Sequence, residues 1–318
     1  MKKLKIVYCG TPDFAVPSLE LLSQHPQVEI ISVVTMPDRP AGRGQQLTPP
    51  PVAEFAKANK LPLFQTENIN KEPEFLEKLK VQEVDLFVVL AFAQFLGSKI
   101  LALPKMGCFN IHTSLLPKYR GAAPIQYALL NGDSGTGVSI QRMVKEMDAG
   151  DVALLDPVAI APHETGGQLY TRLKFQAALS LNTLLERLIE GKIEFIKQNE
   201  TEVSFAPTLK KEDGFVDFKS KSVLQIKNQV RALDPWPGTY CFLGKKRLKI
   251  LGILEAAKDL HLSLAPGKLD IDHGGIFVGC LDGILRLTRV QLEGKAICAD
   301  TELLNGLKNS KEEIILNP

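Results

Sequence analysis

Through the first half of the chain, short apolar runs alternate with stretches whose apolar residues recur every three or four positions. "LKIVYC", "VEIISVVT", "LPLFQ", "VDLFVVLAF", "CFNIHTS", "GVSIQRMV" and "DVALLDPVAI" read as strands; "VPSLELLSQ", "VAEFAKANK" and "PEFLEKLK" carry the helical period. Strands and helices in alternation predict βαβ units, an α/β class and a Rossmann-like, mostly parallel sheet. "VDLFVVLAF" is apolar almost throughout, as a strand covered on both faces must be. A long helix is expected over "GGQLYTRLKFQAALSLNTLLERLIEG", closed by Gly191.

Beyond that helix the pattern changes. "KIEFIKQNETEVSFAPTLKKEDG" is polar and irregular, which sets a first domain over residues 1–191, a linker over 192–207 and a second domain over 208–318. The second domain opens with one helical stretch, "VLQIKNQVRAL", and continues as short strands broken by glycines, the pattern of a small β-barrel.

Composition narrows the class only modestly. The chain of 318 residues is 45% hydrophobic and 23% charged, enough for two ordinary cores. Residues 1–207 hold 21 basic against 22 acidic residues, and 208–318 hold 17 against 14. That asymmetry is too mild to point to a nucleic-acid surface without help from position. Five scattered cysteines with no CxxC fit thiols in a reducing compartment rather than a disulfide framework or metal site. "MKKLKIVYCG" is too short in apolar residues for a signal peptide, and no apolar run is long enough to span a membrane, so a cytoplasmic protein is expected.

The first strand-to-helix turn, "CGTPDFAVP", has one glycine where a dinucleotide fingerprint needs three, and no acid ends the second strand. Gly10 and Pro12 shape a tight turn there, with Asp13 as a first-turn acid. In an open α/β sheet, ligands bind outside the carboxyl ends of the strands. That rule gathers Ala91 to Gln94, Asn110 to Ser114 and the loop Lys145 to Asp151 around one crevice. Asn110 offers an uncharged donor for a developing oxyanion, and His112, two residues on, leaves the same strand face with a side chain able to move protons. Asp148 could orient that imidazole or pass a proton through water. A lone Asn, His or Asp is more often structural; the three at predicted strand ends make the case. Ser114 and Cys108 are the alternative nucleophiles, but the nucleophile elbow is missing and Cys108 is expected to face the core.

"FNIHTSLLPKYRGAAPIQYALLNGD" followed by "TGVSIQRMVKEMDAGD" resembles the signature of the folate-dependent formyltransferases, and "GTPDFAVPSLE", "MPDRPAGRG" and "ALDPWPGTY" narrow the resemblance to the branch acting on a charged tRNA. The resemblance implies formyl transfer from 10-formyltetrahydrofolate to the amine of initiator methionyl-tRNA with no metal and with Asn110, His112 and Asp148 as the catalytic trio, Asn110 and a protonated His112 stabilising the tetrahedral oxyanion while Asp148 holds His112 and assists proton transfer to the leaving folate nitrogen. The amine attacks the formyl carbon itself, so the absence of an enzymic nucleophile fits. The resemblance further implies that the folate lies against Val89, Leu90, Ala91, Phe92 and Gln94, against the turn of Ser114, Leu115, Leu116 and Pro117, and against Glu146 and Met147. The chain departs from the family at Ala93 and Thr113, where smaller residues are usual.

For tRNA, the loop "TMPDRPAGRGQQLTPPP" carries Arg39 and Arg43; composition alone makes it a mobile surface loop, and the resemblance makes it an acceptor-stem contact centred on Arg43. Gln45 and Gln46 stand where lysines are common. The resemblance likens the second domain to an oligonucleotide-binding (OB-like) barrel, with Lys245, Lys246, Arg247 and Lys249 of "LGKKRLKI" as its phosphate contacts. Trp236 is expected as a buried anchor at the domain junction rather than a base-stacking platform. The competing readings are a formyltransferase for a UDP-linked amino sugar, glycinamide ribonucleotide formyltransferase, a tRNA-binding module with a decayed folate site, and a nicotinamide dehydrogenase. A monomer is expected.

Overall fold

A computed structural model describes residues 3–42, 44–257, 262–307 and 316. Seven strands form the main sheet: β1 (Leu4–Gly10), β2 (Val28–Thr35), β3 (Leu63–Gln65), β4 (Leu86–Leu90), β5 (Cys108–His112), β6 (Gly135–Arg142) and β7 (Val152–Ala159). Their order is β7-β6-β5-β4-β1-β2-β3. The five strands from β3 to β5 run parallel, as the alternating pattern requires. The order reverses between β1 and β4, which makes the ends at Gly10 and Leu90 the topological switch point. Every residue of β4 is buried, in keeping with its apolar run.

The sheet is mostly parallel, as expected, with one antiparallel strand that bears on the site. β6 is antiparallel to β5, with Asn110 opposite Gln141 and His112 opposite Ser139. The loop after β6 therefore leaves from the wrong end of the strand to join the row of carboxyl ends. It reaches the crevice by folding back over the sheet face.

The helix Gly166–Ile189 buries Leu173, Ala177, Leu181, Leu184 and Leu188 along one face. It closes as expected: Gly191, at φ +67°, donates to the Leu188 carbonyl, and Lys192 donates to the Arg187 carbonyl. That pair of bonds is the Schellman arrangement, which favours glycine because its turn is left-handed. The stretch "TMPDRPAGRGQQLT", read from composition as a mobile loop, contains a two-stranded hairpin in which Arg39–Ala41 pairs with Gln46–Thr48. Arg43 lies outside the described residues.

The C-terminal domain is an antiparallel half-barrel whose strands follow the order Thr239–Leu243, Lys246–Glu255, Ile284–Leu292, Phe277–Gly279, Leu269–Asp270, with Cys298–Ala299 on Ile284–Leu292. Val216, Phe218, Ile226, Leu248, Leu285 and Leu287 form its core. The chain divides into two compact units, one of Met1–Pro124, Gly135–Ala159 and Tyr170–Ala206, the other of Ile125–Ser134, Ile160–Leu169 and Pro207–Pro318. Residues 192–206, beyond the long helix, thus stay with the sheet unit, because Phe205–Ala206 pairs in parallel with Arg120–Gly121 and Ile196 bridges Val152.

Within the second unit the Asp300 carboxylate, 3% exposed, accepts from Arg286 Nε at 2.7 Å and from the Ile276 amide at 3.0 Å. Burial pushes this carboxyl up, but the Arg286 and backbone bonds outweigh it and hold it below the usual carboxylate range. A depressed carboxyl stabilises the fold above its unfolded value of about 3.9 and loses that contribution as pH falls through the folded value. Asp300→Asn is therefore expected to cost roughly 2 kcal/mol at pH 7, with the gap to wild type closing below about pH 4. Urea titrations at the two pH values measure it.

The cysteines make a simpler prediction. Cys9, Cys108, Cys241 and Cys280 are buried and Cys298 is partly exposed. Burial pushes the Cys108 and Cys241 thiols up to about 12 and Cys280, beside Asp282, up to about 11. In the native protein at pH 8, a thiol-specific reagent should modify Cys298 first, and the other four only after denaturation; peptide mass spectrometry reads the order.

Candidate active site

Because β5 is pleated, Asn110 and His112 project from one face, and the antiparallel register brings Gln141 of β6 directly beside Asn110. The returning loop delivers Asp148 onto that face, with its backbone held at φ +53°. The Asp148 carboxylate accepts from Gln141 Nε2 at 2.9 Å, from the Gly121 amide at 2.9 Å and from Asn110 Nδ2 at 3.3 Å. Its Oδ2 faces His112 Nδ1 at 3.7 Å. The structure thus brings together the three residues singled out from the sequence.

The histidine's state follows from its other partner. His112 Nε2 lies 2.8 Å from the Tyr119 carbonyl oxygen, which can only accept, so Nε2 carries a hydrogen. Nδ1 is then the ring nitrogen left to take up or deliver a proton, and it is the one that faces Asp148. His112 is 6% exposed, so the imidazole is held in a dry, fixed pose. Asn110 is only half-buried and its amide has two hydrogens, of which Asp148 takes one. The second is left to meet a developing oxyanion.

The neighbouring segments are pinned by the sheet. Ser139 Oγ donates to the Ser114 carbonyl at 2.6 Å and accepts from the Leu116 amide at 3.0 Å, which fixes the turn Ser114 to Pro117 beside β5. Ser114 Oγ donates to the Lys118 carbonyl at 2.6 Å and is fully buried. Neither Ser114 nor the core-facing Cys108 is placed as a nucleophile.

Of the residues expected to meet folate, Val89, Leu90, Phe92, Ser114 and Leu116 are buried, so what they offer a ligand is backbone. Ala91, Glu146 and Met147 are exposed, and Leu115 and Pro117 are half-buried. Gln94 spends its amide on the scaffold: Oε1 accepts from the Ile69 amide at 2.9 Å, and Nε2 donates to the Thr66 carbonyl at 2.8 Å. Ala91 and Ala93 adopt φ +49° and φ +60°. A left-handed Ala93 explains why a smaller residue would suit that position better.

Residues missed in the sequence complete the site. Gln141, Gly121 and Tyr119 each touch the trio, and Gln198 donates to the Asp148 and Gly150 carbonyls at 2.8 and 2.7 Å. Their contribution depends on register and on chain return, for which the sequence has no periodic signal.

In the second unit, Lys245 occupies the two-residue turn between Thr239–Leu243 and Lys246–Glu255, Lys246 and Lys249 are exposed, and Lys249 lies opposite Tyr240. Arg247 stacks its guanidinium 3.5 Å from the centre of the Tyr240 ring. Tyr240, Phe242 and Phe215 form an aromatic cluster with ring centres 5.8–6.3 Å apart. Arg39, in the sheet unit, is well exposed and 3.9 Å from Glu67. Trp236 corrects the expectation: it is 53% exposed. Its turn is held by backbone bonds, Gly238 to the Leu233 carbonyl and Gly167 to the Asp234 carbonyl, and needs no ring in a core.

Comparison with known proteins gives matches along nearly the whole chain. Residues 2–185 match the model of the formyl transferase family, and residues 208–308 match that of the formyl transferase C-terminal domain. A methionyl-tRNA formyltransferase of Geobacter sulfurreducens is 41% identical over 309 residues, spanning 97% of this chain and 95% of the relative. One from Thermotoga maritima is 42% identical over 306 residues, spanning 95% of each. Among solved structures, an N-formyltransferase from Helicobacter canadensis in complex with folinic acid and dTDP-3-aminofucose has a TM-score of 0.64 at 21% identity, covering 90% of this chain and 99% of that one; it shares the fold.

Proposed function

The chain belongs to the formyl transferase family, and on that footing we propose that it transfers the formyl group of 10-formyltetrahydrofolate to the α-amino group of initiator methionyl-tRNA, in the cytoplasm. The observation that carries the mechanism is the convergence of Asn110, His112 and Asp148 on one face of the sheet.

The amine nitrogen attacks the formyl carbon, forming the new C–N bond and converting the carbonyl oxygen to an oxyanion. Asn110 Nδ2 donates to that oxygen as charge develops. The tetrahedral centre collapses by breaking its bond to N10 of the folate. N10 leaves with a proton, and the attacking amine gives one up. His112 Nδ1 is the group in position to move that proton, and the Asp148 carboxylate stabilises the imidazolium while it is charged. No nucleophile of the protein is consumed, in agreement with the buried Ser114 and Cys108. The folate lies against the backbone of Val89 to Phe92, the Ser114 to Pro117 turn and the exposed Glu146 and Met147.

For the tRNA, the segment whose sequence carries Arg39 and Arg43 meets the acceptor stem, and Lys245, Lys246, Arg247 and Lys249 hold phosphates, so affinity falls as salt rises. The test is formyl incorporation from 10-formyltetrahydrofolate into initiator methionyl-tRNA, run beside a UDP-linked amino sugar and with a His112→Ala control. Formylated tRNA that depends on His112 supports acceptor and site together; formylated sugar alone overturns the acceptor. In the same assay, Arg43→Ala should lower the rate at limiting tRNA, and an unchanged rate would remove the hairpin from recognition.

A further inference from the structure

The segment after the long helix reads in the sequence as a connector, yet its side chains close on the trio. Gln198 is 7% exposed and its amide is fully engaged. Nε2 donates to the Asp148 carbonyl at 2.8 Å and to the Gly150 carbonyl at 2.7 Å, and lies 3.4 Å from Gln141 Oε1. Oε1 accepts from Arg120 Nε at 3.1 Å and Arg120 Nη2 at 2.9 Å. Arg120 in turn pairs with Glu200 at 2.8 Å and is flanked by the Tyr119 carbonyl and the Gly121 amide, which bind His112 and Asp148.

One amide therefore joins the two returning pieces of chain that build the site, the loop at 148–150 and the turn at 119–121. The need for such a clasp is local. Asp148 is held in the left-handed region, which costs an L-residue roughly 1–2 kcal/mol unless its surroundings impose it. The same segment adds backbone ties: Tyr119 donates to Ser204 Oγ at 2.9 Å, and Phe205–Ala206 pairs with Arg120–Gly121.

We propose that Gln198, carried by the segment after the long helix, is a positioning residue for the formyl-transfer reaction: it clasps the Asp148 loop to the Arg120 turn and so sets the aspartate against Asn110 and His112. The activity part of the proposal rests on the function above; the clasp itself does not.

The test uses the full-length protein and Gln198→Glu, which keeps the shape and the Arg120 contact but loses the N–H groups that face two carbonyls. Gln198→Met, which also loses the Arg120 contact, is the second variant. In Gln198→Glu, kcat measured well below the melting transition should fall tenfold or more while KM for folate and for tRNA stays within about twofold, and the melting temperature should drop, since a carboxylate oxygen then faces two buried carbonyls. Combined with Asp148→Asn, Gln198→Glu should add little further loss, since a residue that acts through Asp148 has nothing left to position. Hydrogen exchange of the amides in residues 145–151 should quicken in both variants. An unchanged kcat, a loss that multiplies with that of Asp148→Asn, or unchanged exchange in 145–151 overturns the proposal. If wild type does not formylate methionyl-tRNA, the functional reading falls and hydrogen exchange alone decides the clasp.

Discussion

Asn110→Ala and His112→Ala are each expected to lower kcat by about 10²–10³ and to leave the affinity for tRNA within a factor of two or so. The two losses arise differently. In the proposed mechanism Asn110 is a donor needed only once the carbonyl oxygen carries charge, so its removal should leave the ground state alone. It also frees one contact of the Asp148 carboxylate, but Gln141 at 2.9 Å and the Gly121 amide at 2.9 Å remain to hold it. In the proposed mechanism His112 moves the proton through Nδ1, and its removal would leave the Tyr119 carbonyl without the Nε2 donor it now receives at 2.8 Å. Single-turnover formylation with saturating tRNA and folate, beside filter binding of the tRNA, separates chemistry from binding. Turnover like that of wild type in either variant would take that residue out of the mechanism.

Gly150→Ala is expected to cost several kcal/mol of stability and nearly all activity, although residue 150 is a buried glycine with no side chain to take part in the chemistry. A β-carbon there would sit 1.7 Å from the Arg142 carbonyl oxygen, a backbone atom at the end of β6. Relief requires the 145–151 loop to lift, and lifting it breaks the Gly150 amide bond to Gln141 Oε1 at 3.1 Å and the Gln198 clasp on the Gly150 carbonyl. Asp148, two residues away, moves with them. Thermal melting and formylation together distinguish the effect from a purely catalytic one: Asp148→Asn should lose activity with little change in melting, whereas Gly150→Ala should lose both. A Gly150→Ala protein that melts and turns over like wild type would show that the loop lies elsewhere in solution.

The strands and helices of the first half were largely legible because each needs only a local period. Val28–Thr35 and Val16–Gln24 coincide with their apolar runs, and Gly191 marks the end of the long helix through its left-handed turn. The helices Pro124–Leu130 and Asp300–Leu307 and the hairpin at Arg39–Thr48 carry no comparably clean period and were not anticipated. Trp236 went the other way: a large aromatic between prolines reads as buried, but backbone bonds hold its turn and leave the ring exposed.

For the site, the sequence by itself determined which side chains share a face: Asn110 and His112 two residues apart must leave a strand on one side, and the resemblance supplied the expected chemistry. Tertiary structure decided how that chemistry is held. Only the antiparallel pairing of β6 puts Gln141 beside Asn110, and only the return of residues 198–206 past Arg120 brings Gln198 under the Asp148 loop. Periodicity encodes which way a side chain points along its own element. It does not encode which distant backbone carbonyl that side chain will meet, because that depends on strand direction and on the path of the chain between elements.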